Sequence, residues 1–135
     1  MSRLLRSTLP LPPSSYIFID FCAGGGGPTP SIEHHLNNDN HHKSSSRSDH
    51  LVRFVLTDLH PHVDLWEKAA ARSANVSFVR EPVDAANAPR ELTERYRREG
   101  KRVFRLFNLA FHHFGDGLAR RILRDTVEGG GDGFG

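Results

Sequence analysis

The stretch Ile17-Phe18-Ile19-Asp20-Phe21-Cys22-Ala23-Gly24-Gly25-Gly26-Gly27-Pro28 carries the strongest structural signal in this chain. Its apolar beginning predicts a buried strand, its four glycines predict a turn, and Pro28 suits the first position of a helix. A strand that ends in an acid and passes through glycines into a helix lets a ligand approach the backbone beside the positive end of that helix. The stretch therefore predicts a strand-turn-helix unit with a ligand site at its turn.

Three further runs resemble this first strand in their content of β-branched and aromatic residues. The four predicted strands cover residues 16–21, 51–57, 76–80 and 103–109. Segments with helix signals lie between and after them, and such alternation favours a parallel sheet that is covered on both faces. We expect an α/β, Rossmann-like fold with about four strands.

Start and stop signals delimit the predicted helices. The starts are Pro28, Asp64 with Glu67 three residues on, Pro89, and Asp116, and the stops of the last two helices are Gly100 and Gly129. The apolar residues expected on the inner helix faces are Ile32, Leu36, Trp66, Ala69, Ala70, Leu92, Tyr96, Leu118, Ile122 and Val127.

Three segments fall outside this alternation of strands and helices. Residues 1–15 are predicted to be a disordered leader, and residues 38–50, rich in His, Asn and Ser, an exposed insertion. Residues 129–135 form a glycine-rich tail that resembles a loop cut in mid-course. We expect a domain over residues 16–128 that is truncated after its fourth strand, because doubly wound folds normally have about six.

Composition excludes several functional classes. Lys and Arg number 18 and Asp and Glu 16, and a formal charge of +2 provides no global field for nucleic acid. The basic run at residues 97–102 is expected to be a solvated helix end. Cys22 is the single cysteine, which excludes an internal disulfide and a zinc site built on paired thiolates.

No membrane segment is expected, because the longest apolar stretch, residues 16–23, is shorter than the roughly 18 residues of a membrane span. A cytoplasmic location is the default expectation. Arg3 and Arg6 resemble part of an organelle presequence, but three prolines interrupt any amphipathic helix there. Histidines 34, 35, 41, 42 and 50 lack a fixed ligand geometry, and we predict no metal site.

Several ligand classes could use the glycine turn. A phosphate-binding loop for triphosphates needs a Lys after its last glycine, and the sequence Pro28-Thr29 provides none. The dinucleotide fingerprint fits Gly24 and Gly26 but has Thr29 where its third small residue should be. An NAD-binding oxidoreductase is therefore a secondary hypothesis.

The segment from Asp20 to Gly26 also resembles motif I of class I S-adenosylmethionine-dependent methyltransferases, with Cys22 in place of the usual first glycine. The chain is most similar to methyltransferase-like proteins of fungal type. This resemblance implies that Asp58, after the second strand, accepts hydrogen bonds from both ribose hydroxyls, and that Asp84 lies beside the adenine amino group. The cofactor-binding residues that it implies are Asp20, Cys22, Ala23, Gly24, Gly26, Asp58, Leu59, Asp84, Ala85 and Asn108.

The segment after the fourth strand, residues 107–114, is similar to that of methyltransferases acting on small molecules. His112 and His113 are the candidate catalytic residues, and a small-molecule acceptor is expected. Asn108 to Phe111 resembles only distantly the motif of amino methyltransferases. Cys22 is interpreted as a small buried side chain rather than a nucleophile, which argues against carbon-5 pyrimidine methylation.

Two alternatives remain open from sequence. An Asp that closes a strand, Asp84 above all, can be only a turn cap. The whole chain can be a non-catalytic, methyltransferase-like remnant or interaction module, and we expect the 135 residues alone to be inactive.

Overall fold

The computed structural model describes residues 7–38 and 50–135, and in them a single sheet of five parallel strands. The strands are β1 (Tyr16–Asp20), β2 (Arg53–Leu56), β3 (Val76–Phe78), β4 (Arg102–Leu106) and β5 (Gly133–Phe134). Their spatial order is β3-β2-β1-β4-β5. The central strand β1 pairs with β2 on one side and β4 on the other, so Asp20 lies opposite both Leu56 and Leu106.

Four α-helices of the described residues connect the strands. They are α1 (Thr29–Asn38), α2 (Val63–Arg72), α3 (Arg90–Arg98) and α4 (Asp116–Glu128). Helices α1 and α2 contribute to the core on one face of the sheet, and α3 and α4 to the core on the other. This is a Rossmann-like α/β fold, as the sequence predicted.

Successive side chains of each buried strand point to opposite faces of the sheet, which divides the core in two. One face carries Ile17, Ile19 and Phe21 against α3 and α4, and the other carries Tyr16 and Phe18 against α1. A third cluster surrounds Trp66 of α2. All five side chains of β1 are buried, as a central parallel strand requires.

The fifth strand was not predicted, because two residues in a glycine-rich segment carry no strand signal. The sequence predicts a glycine-rich tail over residues 129–135, yet Gly133 and Phe134 pair with Phe104 and Arg105 of β4. Phe104 packs over Gly133, where a Cβ would lie only 2.3 Å from its ring. Glycine at this position lets the strand approach that ring.

Arg105 is the largest charged side chain in the core and holds α4 against the sheet. It is 1% exposed and its Nη1 donates to Asp125 Oδ2 at 2.8 Å, while its guanidinium lies 4.9 Å from the centre of the Phe21 ring. Its Nε has no hydrogen-bond partner among the described residues. A buried cation of this kind makes the fold depend on its single carboxylate partner.

Several predicted helix ends need correction. Asp64 and Asp116 do not cap their helices, because α2 begins at Val63 and α4 at Asp116 itself, and neither N-terminus has a side-chain cap. Pro28 lies one residue before α1. Gly100, with φ +76°, follows the end of α3 as predicted, and Gly129 is the C-cap of α4.

The predicted inner faces are confirmed for Ile32, Leu36, Trp66, Leu92, Tyr96 and Ile122, which are buried. Leu118 is partly buried. Val127 was wrongly placed in the core, since it is 78% exposed and Thr126 is buried in its stead. Thr126 satisfies its hydroxyl by donating to the Ile122 carbonyl at 2.8 Å.

Parts of the predicted leader and insertion lie outside the described residues, namely 1–6 and 39–49. Within the predicted leader, Pro13–Ser15 forms a 3-10 helix, Leu9 packs against the core cluster of α1, and Lys101 Nζ donates to the Ser14 carbonyl. Over the described ranges, no helix has the length and apolar character needed to cross a membrane.

The buried ion pair generates a stability prediction. Arg105→Ala leaves the Asp125 carboxylate in a largely buried position without its partner, and we expect the free energy of unfolding to fall by about 3 kcal/mol. Urea denaturation measures this loss. Arg102→Ala, an exposed position on the same strand, is the control and should stay within about 0.5 kcal/mol of wild type. Equal effects of the two variants would contradict a structural role for the pair.

Candidate functional site

The carboxyl ends of β1, β2 and β4 form the candidate site. Strand order reverses between β1 and β4, because the chain proceeds outward from β1 to β3 and then crosses back to β4. Open α/β sheets bind ligands at such a switch point, outside the carboxyl ends of the strands. Asp20, Asp58 and Asn108 follow or end these three strands.

Asp20 links three elements through its buried carboxylate. Its Oδ2 accepts hydrogen bonds from the Thr29 hydroxyl of α1 and from Asn108 Nδ2, the latter at 3.2 Å. Asn108 Nδ2 also donates to Thr29 Oγ1 at 2.9 Å. Asp20 Oδ1 is buried and has no partner among the described residues. The end of the central strand therefore holds a partly satisfied charged group.

Burial raises the pKa of Asp20 from 3.8 to about 6. Desolvation of the carboxylate is the largest cause, and the negative charge of Asp58 adds to it. The hydrogen bonds from Thr29 and Asn108 act in the opposite direction, because they stabilise the ionised form. A carboxyl with this pKa changes its charge in the weakly acidic range.

The glycine turn after β1 is held by Asp58. Gly24 N donates to Asp58 Oδ2 at 2.8 Å, and the other carboxylate oxygen accepts from the backbone N of His60 at 2.8 Å. Gly24 has φ +52° and a Cβ built on it would meet no atom within 4 Å. The backbone of the turn at Gly24 is thus open to a ligand.

Cys22 lies beside these carboxylates with a left-handed φ of 63°. Its pKa is raised to about 11, first by burial and then by the negative charges of Asp58, Asp20 and Asp84. The thiol is therefore protonated at neutral pH and a poor nucleophile. Cys22 is half-buried against the core rather than fully buried as expected, and its raised pKa argues against a nucleophile.

The remaining predicted residues differ in their surroundings. Ala23 and Ala85 are buried in the core, Gly26 is buried with φ 107°, and Leu59 is 52% exposed. Asp84 is exposed and its Oδ1 accepts from Ala86 N at 2.8 Å, so it caps a local turn. The backbone N of the preceding residue, Val83, donates to the Asp58 carbonyl at 2.8 Å, so Asp84 lies at the same end of the sheet as Asp58.

His112 and His113 lie in a short 3-10 helix (Phe111–His113) after β4. Both side chains are exposed and their ring centroids are 4.0 Å apart. In the described part of the chain neither ring is hydrogen-bonded to Asp20, Asp58 or Asn108, and the catalytic role of the two histidines stays a prediction.

Three residues of the site were not predicted from sequence. Thr29 is fully buried and binds Asp20, Thr57 Oγ1 donates to the Asp20 carbonyl at 3.1 Å, and Trp66 Nε1 donates to the Gly24 carbonyl at 2.8 Å. A hydroxyl residue at the start of the helix that follows an acid-ended strand is a usable signal for Thr29. The contact of Trp66 depends on helix packing and has no local signal.

A cavity of about 520 Å³ lies between α1 and α2, beside the glycine turn rather than over the strand ends. Gly25, Glu33, Leu65, Lys68 and Arg72 are among its lining residues. Within the part of the chain that the structure describes, no three His, Cys, Asp or Glu side chains are grouped to hold a metal ion. His41 and His42 of the predicted insertion lie outside the described residues.

The fold and the polar residues at its switch point define a Rossmann-like α/β protein with a candidate ligand site. Comparison of the chain with protein-family models, with curated proteins and with solved structures finds no match. A function for this chain therefore has to be inferred from the chemistry of this site.

The raised pKa of Asp20 predicts a pH-dependent stability. Between about pH 4 and pH 6 Asp20 is protonated to a larger extent in the folded chain than in the unfolded chain, so its contribution makes the free energy of unfolding fall as pH rises through this window. Asp20→Asn should remove this slope and raise stability at pH 7 by about 1 to 3 kcal/mol.

Urea denaturation at several pH values measures both effects. Asp116→Asn, which changes an exposed carboxyl on α4, is the control and should keep the wild-type slope between pH 4 and pH 6. A slope that survives in Asp20→Asn would show that another group is responsible.

Proposed function

We propose that this chain binds S-adenosylmethionine at the carboxyl edge of the sheet. The observation that carries the proposal is the position of Asp58, whose carboxylate follows β2 and bonds to the open glycine turn after β1. A carboxylate at this point is suited to accept hydrogen bonds from the two hydroxyls of a ribose. The sequence resemblance assigns Asp58 the same role.

The bonding capacity of Asp58 fits two further donors. Each carboxylate oxygen accepts one backbone hydrogen bond, from Gly24 or from His60. A carboxylate has about four acceptor sites, so roughly two are left for a ligand. The two backbone bonds also fix the orientation of the carboxylate, which reduces the entropy lost when the ligand binds.

Charge at the site favours this cofactor over a dinucleotide. The charges of Asp20, Asp58 and Asp84 converge on Cys22, and negative charge stabilises a sulfonium cation but repels a pyrophosphate. Thr29, fully buried against Asp20, also stands where the dinucleotide fingerprint needs a glycine for close helix packing. Both features argue against the NAD hypothesis.

Asn108 supports binding of the amino-acid part of the cofactor. Its side-chain Nδ2 donates to both Asp20 Oδ2 and Thr29 Oγ1, which fixes the orientation of the amide. The amide oxygen Oδ1 takes part in neither bond, and as an acceptor it suits an ammonium rather than a carboxylate. Asp20 Oδ1, buried and unpartnered among the described residues, is a second acceptor at this place.

The cofactor, when bound, supplies an activated methyl group. A small-molecule acceptor is the substrate class that the resemblance implies. The chain's own contribution to transfer would be to hold the acceptor in line with the methyl group. Where the acceptor carries a proton, a side chain of the protein would also accept that proton. His112 and His113 are the exposed bases nearest in sequence to Asn108. Binding without transfer is the alternative, and a methyl-labelling assay separates the two.

Calorimetry tests the proposal with S-adenosylmethionine and its demethylated product as ligands. Asp58→Ala should weaken binding by about 1.5 to 3 kcal/mol, the range for hydrogen bonds to a charged group. Asp64→Ala, which removes an exposed carboxylate from the first turn of α2, is the control and should bind as wild type does. Tighter binding of NAD than of S-adenosylmethionine by the unmodified chain would overturn the assignment.

A further inference from the structure

Both backbone polar groups of Gly24 are held by side chains from other elements. Its N–H donates to Asp58 Oδ2 and its carbonyl accepts from the indole Nε1 of Trp66, each at 2.8 Å. The geometry points to Trp66 as a positioning residue that holds the glycine turn ready for its ligand. This inference rests on the proposed cofactor site.

Trp66 is a rigid donor because its indole is locked in the core. The side chain is fully buried and packs with Ala23, Leu56 and Val76, and its ring centroid lies 6.1 Å from that of Phe78. Moving the indole would open this cluster and cost buried apolar contacts. The position of its N–H is therefore set by packing rather than by the hydrogen bond itself.

Helix α2 supports one side of the turn and leaves the other open. A Cβ at Gly25 would lie 3.1 Å from Leu65 Cδ1, whereas a Cβ at Gly24 would meet nothing. Gly24 also has φ +52°, a conformation that costs other residues energy. The side chain of Trp66 thus stabilises a turn whose exposed side is free for a ligand.

The role of Trp66 extends to Asp58 through Gly24. Without the indole donor, the Gly24 carbonyl loses the hydrogen bond from Trp66 Nε1 in a partly buried place, and the turn can relax. The Gly24 N–H would then hold the Asp58 carboxylate less firmly. Ligand affinity should therefore fall through the changed positions of Gly24 and Asp58.

Replacing the single tryptophan by an analogue of the same shape tests this role without creating a cavity in the core. Residue-specific incorporation of benzothienylalanine keeps the ring shape and removes the N–H, whereas 5-fluorotryptophan keeps both. We expect the first analogue to weaken S-adenosylmethionine binding by about fivefold, the effect of one neutral hydrogen bond, and the second to leave it within about twofold of wild type. Trp66→Phe is a further variant, to be used only if it folds.

Amide hydrogen exchange provides a readout that a merely structural role would not move. Benzothienylalanine should accelerate exchange at Gly24 and leave Phe18, in the middle of β1, unchanged. Acceleration at both amides would indicate general loosening and overturn the inference. The fluorine resonance of the 5-fluorotryptophan chain should shift when the cofactor is added.

The outcomes separate this inference from the proposed function. If the wild-type chain does not bind S-adenosylmethionine, the proposed function fails, and exchange at Gly24 alone decides whether Trp66 positions the turn. If the wild-type chain binds it and the benzothienylalanine chain binds equally well, the proposed function stands and the role of Trp66 is refuted.

Discussion

A buried carboxylate at the end of the central strand is the constraint on which the arrangement of this protein depends. Asp20 ends β1 between two neighbouring strands, where water cannot solvate it. Its hydrogen bonds to Thr29 and Asn108 hold the start of α1 and the end of β4 against that strand. Burying such a group costs free energy that apolar packing elsewhere must offset. Pre-organised polar groups with unused capacity are the usual mark of a ligand site.

The elements that the sequence predicted are those in which local pattern and packing agree. Strand β1 and the buried stripe of α3 combine strong periodicity with clear limits, and both formed where predicted. The helix end at Gly100 was predicted correctly because a positive φ is a local backbone requirement that glycine meets without strain. The meeting of the polar residues at one end of the sheet was predicted from topology alone, because the carboxyl ends of parallel strands lie on the same side.

The sequence predictions missed features in which tertiary contacts override local conformational preference. Strand β5 has almost no intrinsic propensity and pairs with β4 because Phe104 and the arginines of α3 hold its approach segment. Arg97 Nη1 donates to the Gly130 carbonyl at 2.7 Å, and Asp132 Oδ2 accepts from Val103 N at 2.9 Å. The indole of Trp66 was predicted only as part of an apolar stripe, because a hydrogen bond across 42 residues has no sequence signature.

At the opposite end of the sheet, the side chain of Asn37 makes with the Val52 backbone the pair of hydrogen bonds that a neighbouring strand would make. It donates from Nδ2 to the Val52 carbonyl at 3.0 Å and accepts from Val52 N at 2.7 Å, so it closes the base of the connection between α1 and β2. The entropic cost of lengthening a connection whose ends are already joined grows only logarithmically with its length. We therefore expect residues added to this connection to cost little stability, and they would lie at the end of the sheet opposite the candidate site.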